Sequence, residues 1–126
     1  MKLPGEPKHY LVAALLWMGV ITLFSHQPGS SIRTVTWLSP QMTDLLHIPS
    51  YAMLTFLAWM GTRGKFSGFA TAVTGVLLGI LAFALLDEWH QSFIPGRTQS
   101  LSDIVNDLIG ASVALMAIKH FNVRTA

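Results

Sequence analysis

Between Asp87 and Arg97 the sequence reads DEWHQSFIPGR: two acids, a histidine, a glutamine and an arginine within eleven positions, directly after an uncharged apolar run. Asp103, Asn106 and Asp107 follow inside the next apolar segment. Three-and-four spacing puts these three and Gly110 on one face of a helix. An ionisable residue beside sequence of membrane-spanning character is expensive enough that its default reading is functional. Glu88, His90, Asp87 and, further back, His47 are the candidates for acid–base work, since histidines and carboxylates are the side chains that most often move protons in an active site. Arg97 follows Pro95-Gly96 on a turn that can fold it back over the helix ends. There it would neutralise Asp87 or Asp103, or hold a phosphate or carboxylate bidentately.

Other polar groups stand where a ligand could use them. Ser25-His26-Gln27-Pro28-Gly29 closes the first apolar segment, and Pro-Gly is turn chemistry first. His47 and Tyr51 are four apart and share a face with Leu54. Gln91, Tyr51, Ser25 and Gln27, with Arg97, form the expected substrate-binding set, while Asp103 and Asn106 are expected to orient Arg97 or a histidine. The plainer reading of the histidine and tyrosine is an interfacial anchor, and that of the acids with Arg97 is a buried network fixing helix packing. His47, His90, Asp87, Glu88 and Asp103 are chemically competent metal ligands, but no spacing among them is a metal signature, so no metal is expected and no cofactor is implied. No G-x-S-x-G nucleophile elbow is present.

The elements that must position these groups are apolar. Of 126 residues, 52% are hydrophobic and only 11% charged, which is a membrane composition. The absence of cysteine excludes disulfides and thiol chemistry, and a net charge of +2 scattered over segment ends argues against nucleic acid as partner. Four apolar segments predict an all-α integral membrane bundle of four transmembrane helices in one domain, at about 9–25, 46–62, 66–90 and 101–121. The first lacks an A-x-A-like cleavage site and is expected to be a retained helix rather than a signal peptide. Ser25 to Asp44 reads as a loop. Gly75 and Gly79, with Ala72 and Ala82, form a small-residue face expected to allow close packing, as do Gly110, Ala111, Ala114 and Ala117. Lys2, Lys8, Arg63, Lys65, Lys119 and Arg124 would fall on one side, and only Arg33 and Arg97 on the other. The positive-inside rule then predicts cytoplasmic N and C termini and gathers the polar groups at the outer face.

The ordered set SHQPG, then His47, Tyr51 and Leu54 as HxxxYxxL, then Asp87 to Arg97 as DExHQxFxPGR, then Ser102 to Gly110 as SDxxxNxxG, resembles the VanZ-like family of bacterial membrane proteins. Members often carry a lysine where this chain has Asp44. The resemblance implies a multi-pass protein of the bacterial cytoplasmic (inner) membrane, and the family's namesake is associated with teicoplanin resistance. With the residue reading, it leads to the expectation of an outward-facing polar pocket that engages a membrane lipid or a lipid-linked, phosphate-bearing envelope precursor, with or without catalysis. The alternative is a non-catalytic binding or interaction protein that alters sensitivity to amphipathic antibiotics of the glycopeptide type.

Overall fold

The computed structural model describes residues 5–28, 40–97 and 100–121, and these residues are mainly helical with no strand among them. Lys2, Arg33 and Arg124, used above for topology, lie outside the described residues. Helix α1 spans Pro7–Ser25 and opens on proline, whose fixed φ and missing N–H suit a first helical position. Helix α2 spans Pro40–Leu45 and α3 spans His47–Gly61. The segment read as a loop up to Asp44 therefore ends in a helical turn. Leu46 between α2 and α3 keeps helical angles (φ −67°, ψ −17°). Pro49 explains the interruption: it has no N–H for the carbonyl of Leu45 and its ring crowds that carbonyl, so the helix breaks there.

Helix α4 spans Phe69–Gln91 and α5 spans Leu101–His120. The third apolar run was expected to start at Phe66. Instead, an extended Gly68 (φ −170°) caps α4, which continues through Asp87, Glu88 and His90 to Gln91. After it, Gly96 takes a left-handed φ of 76°, a conformation that glycine adopts without strain. At 19, 23 and 20 residues, α1, α4 and α5 are long and apolar enough to cross a membrane. Helix α3 has 15 residues and covers about 22 Å, short of a hydrocarbon core of about 30 Å. The structure thus supports three spanning helices directly, not clearly four.

Helix α3 is the packing centre. Tyr51, Leu54, Thr55, Trp59, Met60 and Gly61 are buried on it, and it packs most extensively against α5, then α1. In lipid the hydrophobic drive between helices is weak, so close approach and dispersion must hold them together. Two glycines supply the approach. A side chain at Gly110 would collide with the carbonyl of Ile48 and come within 3.1 Å of the Ala52 nitrogen, and one at Gly61 would lie 2.9 Å from the Leu11 nitrogen. The expected seam at Gly75 and Gly79 does not form: Gly79 has nothing within 4 Å of the added atom, and the nearest atoms at Gly75 belong to the ring of Phe66. Helix α1 is the most peripheral of the long helices, with Leu15, Leu16, Leu23 and Phe24 exposed on it.

Candidate functional site

The up-and-down order of α1, α3, α4 and α5 brings the end of α1, the start of α3, the end of α4 and the start of α5 to the same end of the bundle. Polar side chains far apart in sequence meet there. Ser25 donates its hydroxyl to Asp87 Oδ2 at 2.8 Å, and Gln91 Nε2 donates to the same oxygen at 3.0 Å. All three residues are buried. Glu88 turns the other way and its Oε2 accepts the backbone N–H of Ser100 at 2.9 Å. Ser100 is the N-cap of α5, so a carboxylate from α4 satisfies one of the donors that a helix start leaves free.

His47 Nδ1 donates to Asp107 Oδ1 at 2.8 Å, with the Asp107 side chain 2% exposed. The His47 ring stacks on Tyr51 at 6.2 Å between centroids and 12° between planes, as the four-residue spacing predicts. A base held at one ring nitrogen by a carboxylate is the arrangement that orients an imidazole for proton transfer at the other. The two groups of acids are not independent: Asp87, Asp103 and Asp107 all lie within electrostatic reach of His47. Asp87 Oδ1, Glu88 Oε1, Asp103 Oδ1 and the Tyr51 hydroxyl are buried without a hydrogen-bond partner among the described residues.

Arg97 is placed differently from expectation. Its Nη2 donates to the carbonyl of Phe24 at 3.2 Å and its Nε to that of Gln27 at 3.3 Å, so it caps the end of α1. Among the described residues no carboxylate lies within ion-pair distance of it, so it does not neutralise Asp87 or Asp103 by contact, although Asp103 senses its charge. The loop geometry explains this, since the turn through Gly96 carries the guanidinium toward α1 rather than back over α4. Asn106 donates to the carbonyl of Asp44 at 3.3 Å, and among the described residues no hydrogen bond joins it to Arg97 or a histidine. His90 sits at the rim, where its Nε2 lies 3.1 Å from His26 Nδ1.

Beside this cluster a cleft of about 680 Å³ opens between α1 and α3, and Ser25, Gln27, His47, Tyr51 and Arg97 line it. Asp87, Glu88 and Gln91 do not; they are buried behind it. The site residue given no role by the sequence reading is Asp107. The signal was present in α5, whose buried face runs Asp103, Asp107, Gly110, Ala111, Ala114, Leu115, Ile118. That helical stripe passes through Asp107 and leaves Asn106 at its edge.

Residues 10–122 match the family model described as VanZ/LLP1. The chain belongs to the VanZ/LLP1 family. The matched region holds nearly all of α1, the whole of the other helices and every polar group described above. Comparison with curated proteins and with solved structures gives no match. Family membership and the three long apolar helices make this VanZ/LLP1 chain a multi-pass membrane protein. Among the described residues no group of three or more histidine or acidic side chains is arranged to hold a metal ion.

Proposed function

We propose that this protein engages an envelope lipid or a lipid-linked, phosphate-bearing precursor at the polar end of its bundle, with Arg97 as the ligand for the anionic group and His47, held by Asp107, as the proton-transferring group. The observation that carries this is a single one: Arg97, His47, Tyr51, Ser25 and Gln27 share one cleft. A guanidinium that, among the described residues, has no carboxylate partner in contact presents charge to an incoming anion, and an imidazole fixed by a buried carboxylate lines the same cleft. Asp87, Glu88, Gln91 and His90 act from behind and from the rim, holding α1 and α5 in place around the opening. The reading includes a bacterial cytoplasmic-membrane location with both chain ends cytoplasmic and the cleft facing outward. The near-continuous helical path from Pro40 to Gly61 through Leu46 supplies the length for a fourth crossing.

The test is a binding and turnover comparison in vesicles with a long-chain lipid phosphate. Arg97→Ala is expected to weaken binding by about tenfold or more, the usual scale for losing a charged contact. His47→Ala is expected to keep binding and lose conversion of the lipid. Retained binding in Arg97→Ala sinks the anion assignment. Unchanged behaviour of His47→Ala reduces the protein to a binding module.

A further inference from the structure

The cleft has an apolar body that the polar contacts at its end do not explain. Trp17, Val20 and Ile21 of α1 form one wall and Leu46 and Tyr51 the other. Its volume of about 680 Å³ lies within the usual range for a small-molecule site. The two helices meet tightly at the far end, where Gly61 lies against Leu11, and the space opens toward the polar end, where the indole N–H of Trp17 ties α1 to the carbonyl of Ser50 at 2.9 Å. Leu23 and Phe24 form its rim and are 67% and 68% exposed. They belong to the apolar surface that α1 presents away from the bundle, which in a membrane protein is lipid-facing. The cavity is therefore amphipathic along its length, a hydrocarbon slot with the Arg97 cation at its end.

We infer that this slot seats the hydrocarbon chain of a lipid whose phosphate head meets Arg97, so that the ligand enters sideways from the bilayer and is recognised by tail and head together. The inference rests on the assignment of Arg97 as anion ligand given above, and it adds that a water-soluble phosphate compound is not the ligand. Charge complementarity selects this occupant. Among the described residues, the one guanidinium lining the slot has its contacts on the neutral carbonyls of Phe24 and Gln27, with no carboxylate within ion-pair distance. The remaining wall offers hydrocarbon and aromatic surface that favours a chain over water. A polar peptide or a free sugar phosphate would leave that surface wet.

The experiment uses the full chain in phosphatidylcholine vesicles carrying a trace of phosphatidic acid with a diazirine midway along one acyl chain, and in parallel a diacylglycerol with the same label but no phosphate. On photolysis the phosphatidic acid is expected to label Val20, Ile21 or Leu46, about tenfold above the diacylglycerol, which corresponds to about 1.4 kcal/mol of head-group recognition. Val20→Trp and Leu46→Trp, which fill the slot from opposite walls, are each expected to reduce that labelling about tenfold with little change in melting temperature. The two together keep the result readable if one misfolds. Glycerol 3-phosphate and inorganic phosphate in excess are expected not to compete. Labelling spread evenly over the outer faces of α4 and α5, normal labelling in both tryptophan variants, or competition by the soluble phosphates overturns the tail seat. If Arg97→Ala abolishes the preference for phosphatidic acid while the tryptophan variants label normally, the anion assignment stands and the tail seat alone falls. Equal labelling by the two lipids, unchanged in Arg97→Ala, removes both.

Discussion

Asp107 and Asp103 lie one helical turn apart on the same buried face of α5, yet their surroundings give them opposite consequences. Asp107 accepts the His47 ring N–H at 2.8 Å, whereas Asp103 Oδ1 is buried with no donor among the described residues and senses His47 and Arg97 at a distance along with the like charges of Asp44 and Asp87. Asp107→Ala is expected to destabilise the protein by about 1.5–3 kcal/mol, the range for a hydrogen bond to a charged group, measured by thermal unfolding in detergent micelles. Asp103→Asn removes charge that no partner in contact offsets and is expected to leave stability within about 0.5 kcal/mol of wild type or above it. If function is lost at unchanged or higher stability, the residue is kept for the site rather than the fold. An equal loss of stability at both positions would contradict this division. Residue types told the sequence reader which side chains could do chemistry, and the spacing put His47 beside Tyr51 and Asp87 beside Gln91. Partners from other helices were beyond it. Nothing in a linear pattern says that His47 meets Asp107 rather than Asp103, or that Arg97 turns to carbonyls of α1, because those choices depend on how far one helix slides along another.

At the scale of helices, apolar run length gave α4 and α5 to within a few residues, because an unbroken run of that kind has few alternatives. The break between α2 and α3 was harder to place, since proline is also tolerated in a first helical turn and Pro49 fits either description. Of the two small-residue faces expected, the one at Gly110 forms and the one at Gly75 and Gly79 does not: small residues permit contact without requiring it, and α3 took the glycine of α5 instead of those of α4. Substitution should separate them. Gly110→Ala is expected to lower stability by about 1–3 kcal/mol, since the added carbon meets backbone that cannot move aside. Gly79→Ala meets open space and is expected to be neutral or to stabilise by up to about 1 kcal/mol through helix propensity. Denaturation midpoints of the two variants in one detergent decide the matter, and the reverse order would mean that α3 and α5 do not cross as described.

For the whole molecule, the basic residues Lys8, Arg63, Lys65 and Lys119 lie toward the end opposite the cleft, with Arg97 beside it. A reporter joined after Arg63 is expected to score cytoplasmic and one joined after Gly96 external. The inverted pattern would turn the cleft to the cytosol and change the class of lipid it could meet. The two arginines also bracket α1. Arg63 donates to the carbonyl of Gly5 at 2.7 Å and lies over the Tyr10 ring, while Arg97 holds the carbonyls of Phe24 and Gln27. At the Phe24 end, an Nε or Nη2 donor that Arg97 turned toward the phosphate of the proposed ligand would be withdrawn from the backbone it fastens, while its other N–H groups stay available. To that extent occupancy and the release of that helix end would be linked thermodynamically, and whatever favours a detached α1 terminus would tighten the grip on the anion by the same factor.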